Sequence, residues 1–118
     1  GSGTMANTDQ INIIGKGITI RGSLTGGGGL VIEGRVEGQI ALKNHLTIES
    51  SGVVEADIRA DELTINGTAS GNIDASTKVS INQSAKVQGD IKAARVVIED
   101  GAVFNGSIEM DVKLPDDI

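Results

Sequence analysis

The chain has 118 residues, enough for one ordinary domain, and no cysteine, so neither a disulfide framework nor a thiolate metal site is open to it. Its net charge of −6 and a single aromatic residue, Phe104, argue against nucleic acid, which demands a positive footprint and, for single strands, stacking rings. No apolar stretch approaches the roughly 20 residues of a membrane-spanning helix, and no signal-peptide pattern opens the chain.

Gly1 to Thr4, ahead of Met5, read as a tag remnant, and residues 1–10 as a polar, loose tail. From Ile11 a repeat begins. An aliphatic-x-Ile triplet recurs as Ile11-Asn12-Ile13, Leu30-Val31-Ile32, Leu46-Thr47-Ile48, Leu63-Thr64-Ile65, Val79-Ser80-Ile81 and Val96-Val97-Ile98, at near-constant intervals with the first the longest. The period of 2 within each triplet predicts a strand with one buried face.

A second motif, aliphatic-x-Gly-x-aliphatic, interlocks with the first. It runs Ile20-Arg21-Gly22-Ser23-Leu24, Val36-Glu37-Gly38-Gln39-Ile40, Val54-Glu55-Ala56-Asp57-Ile58, Ala69-Ser70-Gly71-Asn72-Ile73, Val87-Gln88-Gly89-Asp90-Ile91 and Phe104-Asn105-Gly106-Ser107-Ile108. Each coil then carries about three short strand segments, with Gly34, Gly52, Gly67, Asn66, Asp100 and Gly101 suited to the corners. Gly or Ala in the second motif fits a place where the backbone turns, or packs too closely for a larger side chain. The run Gly26-Gly27-Gly28-Gly29 reads as a flexible loop between the first and second coils.

One such coil cannot bury its apolar face, but stacked coils can, with Leu30 under Leu46 and Leu63, and Ile32 under Ile48 and Ile65. The expectation is an all-β, single-domain parallel β-helix of about six coils over residues 11–110, roughly 25–30 Å long at the inter-strand spacing of ~4.8 Å. Residues 111–118 are a short charged tail broken by Pro115, too short for a substantial cap.

Capping of the open end coils is expected of a monomeric solenoid, and neither end shows it. The first coil keeps Ile11, Ile13, Ile14, Ile18 and Ile20; the last keeps Val96, Ile98, Val103, Phe104, Ile108 and Met110. Two uncapped apolar ends on one rod predict end-to-end self-association, which builds filaments unless symmetry closes it. Phe104 tops a column otherwise filled by Ile20, Val36, Val54, Ala69 and Val87, and aromatics are favoured interface anchors.

Enzymatic and ligand-binding readings are weaker. A left-handed hexapeptide-repeat acyltransferase would show strict six-residue steps. One such run exists (Leu30, Val36, Leu42, Ile48, Val54, Ala60), but it breaks and restarts at Leu63. The lone His45, between Asn44 and Leu46, reads as an exposed corner residue rather than a general base. The pairs Glu99-Asp100 and Asp116-Asp117 read as solvated turn and tail, and no Gly-Lys-Ser/Thr follows the glycine run. The expectation is no catalytic residue, no metal site and no cofactor.

The segments Gly17-Ile18-Thr19-Ile20-Arg21-Gly22-Ser23-Leu24 and Leu30-Val31-Ile32-Glu33-Gly34-Arg35-Val36-Glu37-Gly38-Gln39-Ile40, with the repeated Gly-x-Ile and the late Phe104-Asn105-Gly106, resemble the bactofilins, bacterial cytoskeletal proteins. The resemblance covers about residues 14–110. It implies a right-handed β-helix of triangular section, and nucleotide-independent, non-polar filaments. Such filaments would scaffold cell-shape, cell-envelope or chromosome-organising partners in the cytoplasm, at the inner face of the membrane. It also places Phe104 at a subunit junction. Many members carry a hydrophobic membrane-targeting motif ahead of the repeat, and Ala6 to Gln10 offer none.

Overall fold

The computed structural model describes residues 11–110; the tag remnant and tail expected over 1–10, and the tail expected over 111–118, lie outside the described residues. Nine strands follow in chain order: β1 (Ile11–Ile14), β2 (Thr19–Gly26), β3 (Gly29–Ile32), β4 (Arg35–Leu42), β5 (His45–Ile48), β6 (Val53–Ile65), β7 (Thr68–Ile81), β8 (Lys86–Ile98) and β9 (Val103–Met110). Every pairing between them is parallel, and each strand pairs with its counterpart one coil on. The result is a parallel β-solenoid of about six turns.

The columns stack as the repeat demands. Leu30, Leu46, Leu63, Val79 and Val96 are in register, as are Ile14, Ile32, Ile48, Ile65, Ile81 and Ile98. Ile20, Val36, Val54, Ala69, Val87 and Phe104 form a third inward column, and Leu24, Ile40, Ile58, Ile73, Ile91 and Ile108 a fourth. The core is wholly aliphatic, and among the described residues no polar or charged residue is buried. Each large aliphatic side chain taken fully from water contributes about 1.5–3 kcal/mol.

Three expectations need correction. The first triplet is shifted by one residue: Asn12 pairs with Leu30 and Ile14 with Ile32, so Ile14 is the core residue, while Ile11 and Ile13 point outward. A one-residue slip carries every side chain of a strand to the other face. The glycine run is not a loop. Gly26 ends β2 and Gly29 opens β3, and only two residues bend between them. That bend is tied to the next coil, with the Lys43 N–H donating to the Gly26 carbonyl. Finally, three separate segments per coil are not maintained. From Val53 onward the pairing runs on through the corners, giving strands of 13, 14 and 13 residues with register shifts after Ala60 and Ala75.

The second motif marks a corner. Gly22, Gly38, Gly71, Gly89 and Gly106 all have φ between +127° and +142°, which L side chains rarely adopt. A Cβ on Gly38, Gly71, Gly89 or Gly106 would also run into the main-chain carbonyl of the column residue one coil earlier. Ala56 stands in the same column without a positive φ.

Candidate functional site: two open ends

The inter-coil hydrogen bonds show what each end lacks. The carbonyls of Ile14, Ile32, Ile48, Ile65 and Ile81 each accept from an N–H of the following coil, those of Glu33, Glu49, Asn66, Asn82 and Glu99. Ile98 is next in that column, and among the described residues no coil follows it. At the other end, the N–H groups of Arg35, Val53, Thr68, Lys86 and Val103 each donate to the preceding coil. Thr19 holds the same register position, in a coil with no described coil before it. Each end of the solenoid is therefore an open strand edge on which, among the described residues, N–H and C=O groups alternate without a further coil to pair them. Unpaired strand edges are templates for further pairing.

The apolar surface follows the same division. Among the described residues the exposed large hydrophobics are Ile11, Ile13, Ile18, Val97, Ile98, Val103 and Met110, and all seven belong to the first or last coil. Behind them, Ile20 and Leu24 at one end and Val96, Ala102, Phe104 and Ile108 at the other are only half covered by the coil beneath. Of the eleven residues singled out from the sequence, ten are thus exposed or half-buried in the two terminal coils, and Ile14 belongs to the core. Ile11 and Ile13, 64% and 63% exposed, face sideways from β1 rather than along the stack, in outward columns with Gly29 and Val31.

The flanks of the coils are polar and mutually paired. Arg21 donates to Glu37 at 3.0 Å, Arg35 to Glu37 at 2.6 Å and Arg35 to Glu55 at 2.9 Å, linking three successive coils. Hydrogen bonds from Arg35 and Arg21 hold the Glu37 carboxyl below its ordinary range, and the same pairing raises Arg35. The hydroxyls of Ser76 and Thr77 likewise lower Asp61. His45 is not a free corner residue. It opens β5, half-buried, with Nδ1 3.0 Å from Glu62 and Nε2 2.8 Å from Thr64 on the next coil. Both ring nitrogens are engaged in a lateral clamp between coils. Among the described residues no group of three or more His, Asp or Glu side chains is placed to hold a metal ion, and no helix is long and apolar enough to cross a membrane.

A solenoid with an aliphatic core, paired flanks and two open apolar ends has the architecture of a structural protein. Comparison with known proteins places it within that class. A family described as polymer-forming cytoskeletal, the bactofilins, matches residues 12–109, and the chain belongs to that family. It is 86% identical to bactofilin BacN of Myxococcus xanthus over 111 residues, covering 94% of this chain and 98% of that one. With bactofilin BacO of the same organism it shares 50% identity over 92% of this chain and 83% of the relative. The fold matches that of the cytoskeletal bactofilin BacA, solved by solid-state NMR, with a TM-score of 0.78 and 29% identity over 87% of this chain and 98% of that one. None of this supports the acyltransferase alternative. The coils do not keep a strict six-residue step: Val54 pairs in register with Ala69, and no whole number of such steps separates the two.

Proposed function

We propose that the chain polymerises end to end through its first and last coils into filaments that need no nucleotide. The observation that supports this most directly is the confinement of every exposed large hydrophobic, among the described residues, to those two coils. Burial of such surface is the main drive for association, and the open strand edges at both ends can add hydrogen bonds across a junction. Repeating contacts of this kind grow linearly unless rotation closes them. The filaments are non-polar, with like ends meeting, as the family resemblance implies. They serve as cytoplasmic scaffolds for protein partners at the cell envelope or the nucleoid. A net charge of −6 argues against nucleic acid as the partner, and the reading needs no catalytic residue and no cofactor.

Negative-stain microscopy of the purified protein at physiological salt, without nucleotide, tests the reading, with sedimentation as a second readout. Filaments or sheets are expected. A sharply monomeric species at high protein concentration would sink it.

A further inference from the structure

One outward column carries a charge in each of the last four coils. Arg59, Asp74, Lys92 and Glu109 stand in register on β6, β7, β8 and β9, and their signs alternate along the stack. All four are exposed. The ion pairs of the described residues lie on other columns, and none of them uses these four side chains. Thr25 and Ala41 continue the column into the first two coils, which add no charge to it. The next outward column of the same face holds Asp57, Asn72, Asp90 and Ser107 in the same four coils. Between the two columns runs a shallow open furrow, not the enclosed cavity that a small ligand needs.

An order of plus, minus, plus, minus is its own complement when reversed. We propose that this face pairs sideways with the same face of a second copy running antiparallel, so that Arg59 meets Glu109 and Asp74 meets Lys92 across a two-fold axis. The inference rests on the filament reading above and adds a lateral contact to the end-to-end one. Charge complementarity indicates the occupant. Turned about a two-fold axis along the strands, the column meets itself in reverse, and all four charges find an opposite. The neighbouring column agrees, because Asp57 comes opposite Ser107 and Asp90 opposite Asn72, and no two like charges face each other. Two copies side by side in the same direction and register would instead set each charge against its own kind. A filament whose like ends meet carries subunits in both directions, so an adjacent filament has an antiparallel face to offer. Four coils make a small contact for an isolated pair, but a filament repeats it along its length, and linked contacts add.

The test compares wild type, Lys92→Glu, the double variant Asp74→Lys/Lys92→Glu, and Lys86→Glu. Negative-stain microscopy at low salt reads filament pairing. Low-speed pelleting collects laterally joined filaments, and high-speed pelleting collects all of them. Lys92→Glu turns the Asp74–Lys92 contact into two facing carboxylates, and the double variant restores it with the signs exchanged. Lys86→Glu makes the same change of net charge on another column, the one it shares with Val103. Wild-type filaments are expected to lie side by side at low salt and to come apart as salt is raised. The low-speed fraction should fall at least about fivefold in Lys92→Glu, recover in the double variant, and hold the wild-type level in Lys86→Glu. The high-speed fraction should be the same in all four. Single wild-type filaments at low salt, or Lys92→Glu filaments that pair as the wild type does, overturn the lateral contact and leave the polymer reading intact. An equal loss in Lys86→Glu overturns it too, since net charge alone would then explain the effect. Failure of the double variant to recover overturns the two-fold arrangement, because a parallel contact offset by one coil would keep two like-charged pairs there. Absence of wild-type filaments overturns both readings. Should Lys92→Glu fail to fold, Arg59→Glu takes its place, setting two carboxylates together at the outer pair.

Discussion

Arg35 and Glu37, two residues apart on β4, point to the same side of the sheet and pair at 2.6 Å. Alternation along a strand makes this possible, and stacking extends it, because the same Arg35 reaches Glu55 one coil on. The pairing lowers Glu37, so its folded-state pKa lies below its unfolded value. Its contribution is therefore present at neutral pH, above the unfolded carboxylate pKa, and is lost as pH falls through the folded value. Denaturant midpoints of wild type and Glu37→Gln, compared in dilute protein, should differ at neutral pH and converge in acid. The pair is solvent-exposed, so raising the salt should narrow the neutral-pH difference as well. An equal gap at both pH values would mean that the carboxylate charge is not what matters at this position.

The corner column predicts a sharp contrast between glycines. Gly89 has φ at +132° and faces the Gly71 carbonyl, so Gly89→Ala combines backbone strain with a clash. A loss of about 1–3 kcal/mol is expected from the strain alone. Gly27 has open space around it, and Gly27→Ala should be close to neutral. Thermal unfolding of both variants, again below the assembly concentration, makes the comparison. Equal effects would contradict the assignment of the column as a tight corner.

Phe104 closes its inward column in the last coil, half covered by Val87 beneath it. The substitution Phe104→Arg sets a charge where a second copy is proposed to lie. An unpaired charge buried at an interface costs on the order of 3–5 kcal/mol, enough to raise the concentration needed for assembly at least about a hundredfold. The fold should survive, since no described coil packs on the far side of this layer. Circular dichroism and sedimentation together read both halves of the prediction. Filaments persisting at the wild-type threshold would take Phe104 out of the junction.

The columns are legible in the sequence wherever burial is two-sided. Leu46 and Ile48, or Leu63 and Ile65, can occupy their strands in only one phase, because the other phase would put both in water. At the first coil that constraint fades. Ile11-x-Ile13 and Asn12-x-Ile14 both fit the strand pattern, and no described coil lies on the far side to decide between them. The signal available is the interval from Ile11 to Leu30, longer than any later one; taking Ile14 as the partner of Ile32 brings the first coil closer to the others. The merging of segments into β6, β7 and β8 leaves no such trace, since it depends on backbone pairing through the corners rather than on side chains. The two ends are legible as apolar coils without caps. The difference between Gly22, where a Cβ would meet nothing within 4 Å, and Gly38, where it would strike the Gly22 carbonyl, is not, because both sit in the same motif and differ only in what lies beside them.

The unequal lengths of the coils have a further effect. The step from Val54 to its partner Ala69 is shorter than the step from Ala69 to Val87, and the step from Leu46 to Leu63 falls between them. A perfectly uniform repeat could slide by one whole turn and keep every aliphatic contact. Here a slipped turn would arrive at its corner with residues too many or too few. The irregular corners therefore act as a set of distinct keys. They give a stack of near-identical layers a single address for each layer, so that the chain has one way to close its coils rather than several.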